Sequence, residues 1–90
     1  MRKHVKLYLN HFGYGEQDYI PSELSGDPAV DIHHIEYGRG RRRDVIENLI
    51  AITREEHDRA HFKRKPYLTA EDLQSLHNQF LDESSNRTTH

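Results

Sequence analysis

The chain has no cysteine, so no disulfide can brace it. That absence fits a reducing compartment and equally a secreted protein without bridges. It has no tryptophan and only three phenylalanines in 90 residues, and 33% of it is apolar, so its core must be thin. A domain this small buries a limited share of its surface and commonly leans on a metal, a disulfide or a partner. No apolar run is long enough to cross a membrane. The N-terminal MRKHVKLYLNHF lacks the uninterrupted apolar stretch of a signal peptide, and the expectation is a cytoplasmic protein. Charge of one sign is also missing: a net charge of -2 does not advertise nucleic-acid binding.

What the chain does have is histidine, eight in all, four of them between Asp31 and His61. His33 and His34 are adjacent, and His57 and His61 stand four apart. Histidines cluster chiefly to bind metal or to move protons. Between the two pairs lie Arg39, Arg41, Arg42 and Arg43, a local positive patch in an otherwise acidic chain. Such a patch can hold phosphates without making the whole domain basic.

Val5, Leu9 and Phe12 fall at helical spacing and predict a short amphipathic helix over 3–12. Glycines and prolines then punctuate an irregular segment to about residue 28. Residues 29–35 read as a strand, with Val30, Ile32 and His34 on one face and Asp31, His33 and Ile35 on the other. Gly38 and Gly40 break it and open the arginine loop. Residues 48–53 (NLIAIT) read as a second strand, followed by a helix from Arg54 to about Lys63, with Thr53 as N-cap and Glu55 and Glu56 in its first turn. A last helix is expected from a Thr69 cap to about Leu81, its apolar stripe made by Leu73, Leu76 and Phe80. One domain over 1–83 is expected, with 84–90 as a disordered tail.

On a helix, His57 and His61 differ by about 40° in direction and about 6 Å in height, so both imidazoles can close on one ion. The segment HDRAH lacks the glutamate of a zinc-protease H-E-x-x-H, which argues against that chemistry. Adjacent strand residues point to opposite sides, so His33 and His34 should not share one job. One can supply a third metal ligand while the other handles a proton. Three protein ligands with positions left open make a catalytic rather than a structural arrangement.

His33-His34, Asn48, His57 and His61, in that order, resemble the HNH endonucleases, the ββα-metal (His-Me finger) nucleases. His34 to Asn48 is fourteen residues and Asn48 to His57 is nine, spacings that the family commonly uses. DIHHI, the glycine-broken basic loop, ENLIAI and the helix ending in H-x-x-x-H match in context. The likeness covers about residues 20–65 and is nearest to small HNH proteins of phages and prophages. It implies an α+β fold with a ββα-metal core at about 29–64, flanked by an N-terminal and a C-terminal helix. It also implies a DNA phosphodiester hydrolase of low sequence specificity, leaving 5′-phosphate and 3′-hydroxyl ends. By the same resemblance His34 is the general base, His33, His57 and His61 are metal ligands, and Asn48 bonds across the loop to keep His34 aimed. Arg39, Arg41, Arg42 and Arg43 are the expected phosphate contacts. One divalent ion is implied, Mg²⁺ or Mn²⁺ in the cell, with Zn²⁺ or Ni²⁺ equally suited to three imidazoles. The expected partners are DNA and either a second copy or a terminase-type protein, and the expected setting is a bacterial cell, with the chain encoded by a phage or prophage.

Many relatives in that family carry two C-x-x-C pairs that hold a structural zinc. Here the matching places read Ser22-Glu-Leu-Ser25 and Thr53-Arg-Glu-Glu56, a poor zinc donor set, so no structural zinc is expected. The flanking helices, through Leu7, Leu9, Phe12, Leu73, Leu76 and Phe80, are the expected replacement. Two readings compete with a nuclease: a non-catalytic, metal-stabilised DNA-binding module or packaging accessory, and a plain metal-binding or interaction domain. An RNA target stays open, because arginines meet the same phosphates there.

Overall fold

Val5, Leu9 and Phe12 do share one side of a helix, and that helix is the first element of the fold. The computed structural model describes residues 2–36, 44–61 and 64–88, the last four of these by backbone alone. It is a small α+β unit of three helices and a two-stranded antiparallel sheet. The order is α1 (Lys3–Phe12), β1 (Asp31–His34), a single 3-10 turn (Ile46–Asn48), β2 (Leu49–Ile52), α2 (Arg54–His61) and α3 (Ala70–Thr88). Among the described residues no helix is long and apolar enough to cross a membrane. Gly38, Gly40, the four loop arginines and Lys63 lie outside the described residues.

Helix α1 stops at Gly13, whose φ of 74° is open to glycine at little cost. The Gly13 N–H donates to the Asn10 carbonyl and the Tyr14 N–H to the Leu9 carbonyl, so the chain turns away with its last carbonyls satisfied. The sheet pairs Asp31 with Ile52, Ile32 with Ala51, His33 with Ile50 and His34 with Leu49. Strand alternation therefore divides the core in two. Ile32, Leu49 and Ala51 pack with Tyr8 of α1, whereas Ile35, Ile50 and Ile52 pack with Leu73 of α3. All four residues of β2 are buried, because both of its faces are covered.

Both strands are shorter than expected. Val30 is outside β1 and 66% exposed, and Asn48 belongs to the 3-10 turn that leads into β2. Helix α3 departs from expectation at its far end, where it continues past Leu81 to Thr88. The chain has no proline after Pro66 and no glycine after Gly40, so nothing breaks a helix once its first turn is paid for. That turn is capped reciprocally: the Asp72 N–H donates to Thr69 Oγ1 at 3.0 Å and the Thr69 N–H to Asp72 Oδ2 at 3.2 Å. The apolar stripe is also different. Leu76 is 39% exposed, and His77, one position on, is fully buried.

Ser22, Ser25 and Thr53 converge on the Glu56 carboxylate. Glu56 Oε1 accepts the Ser22 hydroxyl at 2.5 Å and the Thr53 N–H at 2.9 Å, while the Glu56 N–H donates back to Thr53 Oγ1. The N–H groups of Leu24 and Ser25 donate to Ser22 Oγ. Thr53 and Glu56 form a capping box for α2, and Ser22 ties that box to the segment preceding β1. Burial opposes the Glu56 charge, but bonds from Ser22, the Thr53 backbone and Ser25 outweigh it and hold the carboxyl below its ordinary range. Flanking helices meet as well, with Phe12 and Phe80 edge to face at 5.4 Å. Glu56→Ala should lower the unfolding free energy in urea by about 1–3 kcal/mol, the usual cost of orphaning buried donors, while Glu56→Gln should lose less.

A second polar knot joins α3 to the rest. His77 Nδ1 lies 2.7 Å from Glu23 Oε1, its Nε2 lies 2.6 Å from the Ile46 carbonyl, and Tyr8 donates its hydroxyl to Glu23 Oε2 at 2.5 Å. A carbonyl and a carboxylate only accept, so both ring nitrogens donate and the ring is an imidazolium. Burial works against that charge, but the hydrogen bond and charge of Glu23, then the Ile46 carbonyl and Glu47, prevail and raise the His77 pKa. Breaking a buried pair by removing one partner costs about 3–5 kcal/mol, and His77→Ala should show that loss in urea unfolding. A raised folded pKa stabilises fully below the ordinary value of 6.5, and the contribution fades as pH rises through the folded value. The stability difference between wild type and His77→Gln should therefore shrink from pH 6 to pH 9.

Candidate metal centre

Strand β1 carries the centre. Asp31 and His33 point to the face covered by α2, and His34 points to the face covered by α1. Helix α2 brings His57 to His33 with the rings edge to face at 5.3 Å. His57 Nε2 lies 3.5 Å from Asp31 Oδ2. One donor atom from each of Asp31, His33 and His57 falls within 4.8 Å of the other two, so the trio can hold a metal ion. His61, one turn further along α2 and exposed, stacks on His57 at 5.3 Å and 15°.

The donor chemistry fits a divalent cation. Burial and the neighbouring charge of His57 push the His33 pKa down to about 4. Its ring is neutral at pH 7, the form that ligates. Two imidazoles and a carboxylate suit first-row divalent ions, and the carboxylate extends the range toward Mn²⁺ and Mg²⁺.

His34 is buried in a different setting. Its Nε2 lies 2.8 Å from Asp44 Oδ1, and its ring packs against His4 of α1 with centroids 4.4 Å apart. The bond to His34 holds the Asp44 carboxyl below its usual range. His4 is lowered, first by burial and then by the charge of His34. His4, His34 and Asp44 also have donor atoms within 4.8 Å of one another. A cavity of about 130 Å³ is lined by Arg2, His4, Asp31, His33, His34 and His57, so the two faces of β1 open on one space. Arg54 and Asp31 line an adjoining hollow with Val30 and His57.

Asn48 is buried at the far end of the loop that follows β1. Its Oδ1 accepts the Glu36 N–H and its Nδ2 donates to the Glu36 carbonyl, both at 2.9 Å. Its own carbonyl accepts the Ile35 N–H at 2.8 Å. Three bonds thus tie Asn48 to Ile35 and Glu36, the two residues that follow His34. Arg39, Arg41, Arg42 and Arg43 lie outside the described residues.

Comparison of the chain with family models, curated proteins and solved structures returned no match. The reading of the centre therefore stands on its residues. Sequence reasoning missed Asp31, although its place two residues before His33 on one strand face was a legible signal. It also missed His4 and Asp44, whose approach to His34 no local periodicity reveals.

Mn²⁺, Ni²⁺ or Zn²⁺ should raise the melting temperature, because an ion at 100 times its dissociation constant stabilises by about 2.7 kcal/mol. EDTA should reverse the shift. In differential scanning fluorimetry His33→Ala and His57→Ala should abolish it, Asp31→Ala should weaken it, and His11→Ala, an exposed residue of α1, should leave it intact.

Proposed function

We propose that this chain is an HNH-type, metal-dependent DNA endonuclease whose β1, β2 and α2 form a ββα-metal core. One observation carries the reading. The neighbours His33 and His34 divide between a trio able to hold a metal ion and a separately held imidazole, and both groups line a single cavity.

Asp31, His33 and His57 would hold the cation, with His61 stacked on His57 one turn further along α2 and outside the trio. When bound, the cation supplies positive charge where the phosphoryl and leaving oxygens become negative. His34 takes the proton from the attacking water, a contribution worth about 10²–10⁴-fold. Asn48 acts through the backbone, fixing Glu36 two residues after His34. Arg2 and Arg54 are the described cations beside the site, suited to phosphate oxygens of the DNA strand. Contacts to phosphate carry no base information, so loose sequence preference follows, with target choice left to a second copy or a packaging partner.

A second reading, a metal-stabilised DNA-binding module, has in its favour the burial of His34, which is 4% exposed. Plasmid cleavage separates the two. Purified protein with Mg²⁺, Mn²⁺ or Ni²⁺ should nick or linearise supercoiled DNA, leaving 5′-phosphates, and EDTA should stop it. His34→Ala should slow cleavage by about 10²–10⁴-fold with DNA affinity retained. DNA binding without cleavage in every metal, unaltered by His34→Ala, would sink the nuclease and favour the module.

A further inference from the structure

We propose that Asp44 is a positioning residue for His34: its carboxylate takes the Nε2 hydrogen and so leaves the ring's lone pair on Nδ1. This rests on the nuclease reading for its consequence in catalysis, but not for the tautomer itself.

The argument is geometric. Asp44 Oδ1 and His34 Nε2 are 2.8 Å apart, a charge-assisted hydrogen-bond distance. An ionised carboxylate has no hydrogen to give, so the hydrogen between them belongs to the ring. Once Nε2 carries it, a neutral imidazole has its acceptor at Nδ1. His4 supports the arrangement from α1, its buried ring lying at 4.4 Å and 45° to that of His34. Two restraints, a bond at Nε2 and a packed ring on one side, leave the imidazole little rotation.

The place of Asp44 in the chain adds a second reason. It lies ten positions beyond His34 and four before Asn48. Asn48 bonds the Glu36 backbone at both its N–H and its carbonyl. His34 is thus tied to Asp44 by a side-chain bond while Glu36, two residues on, is tied to Asn48. A carboxylate in this position also stabilises the imidazolium that forms when the ring accepts a proton from water, as an orienting carboxylate does for any catalytic histidine. Asp44 itself reaches neither substrate nor cation in this scheme.

Nitrogen-15 NMR of the histidine rings in the full chain, at about pH 8, where an ordinary imidazole is neutral, reads the tautomer directly. Wild type should show His34 protonated at Nε2, and both Asp44→Asn and Asp44→Ala should shift it toward a mixture or the other form, with the fold checked by circular dichroism. In plasmid cleavage Asp44→Asn should lower kcat by about tenfold to a hundredfold, part of the full general-base effect, with KM unchanged and partial recovery in Asp44→Glu. A wild-type His34 protonated at Nδ1, or a tautomer indifferent to Asp44, would overturn the proposal. So would a second equivalent of Zn²⁺ that binds wild type and is lost in His4→Ala and Asp44→Ala but kept in His57→Ala, since the group would then be a metal site. The expected tautomer in a protein that never cleaves DNA would remove the nuclease reading and leave the positioning intact. Cleavage that is equally fast in Asp44→Asn, with an unchanged tautomer, would do the reverse.

Discussion

Side chains alternate along a strand, and in β1 that alternation sends His33 to one face of the sheet and His34 to the other. Everything around the centre follows from this divide. Helix α2 covers the His33 face and brings His57, while α1 covers the His34 face and brings His4. Had the register slipped by one residue, Asp31 and His33 would turn toward α1 and the trio with His57 could not form. The pairing of His33 with Ile50 and of His34 with Leu49 is held because Ile50 and Leu49 are fully buried on opposite faces, each in its own cluster.

A sheet of two short strands cannot stand alone, so the unit depends on what is packed and bonded around it. The apolar core is small, and polar groups complete it. Glu56 gathers Ser22, Ser25 and Thr53 at the start of α2, and the ion pair of His77 with Glu23 gathers α1, α3 and the 3-10 turn. Among the described residues no buried side-chain nitrogen or oxygen lacks a partner. Satisfied networks of this kind hold elements in one arrangement, which a thin apolar core does less well. The Ile46 carbonyl extends this scaffold toward the candidate centre, since it accepts from His77 at the turn that contains Asn48.

At the centre the same economy appears in the two clusters of ligating groups. Burial keeps His33 neutral, and the Asp31 carboxylate beside it supplies the negative charge that a cation needs. His34, one residue away, has a carboxylate at hydrogen-bond distance and a second imidazole against its ring. Neighbours in sequence thus sit in chemically different surroundings.

Much of this was legible in residues close to one another in the chain. The spacing of Val5, Leu9 and Phe12 marked α1, Thr53 with Glu56 marked the start of α2, and the alternation of 31–35 put His33 and His34 on opposite faces. These signals arise from periods of 3.6 and 2, which local sequence carries. The end of α3 was placed too early, at Leu81, because the apolar stripe stops near there while no residue breaks the helix before Thr88. His77 was passed over for Leu76 because a histidine's burial depends on acceptors that arrive from Glu23, 54 positions away, and Ile46, 31 away. His4 and Asp44 were invisible for the same reason. The sequence by itself determined which side chains share a face and where helices begin. Only the tertiary structure decided which polar groups meet, because a buried charge or imidazole is stable only beside a partner that folding delivers from elsewhere in the chain.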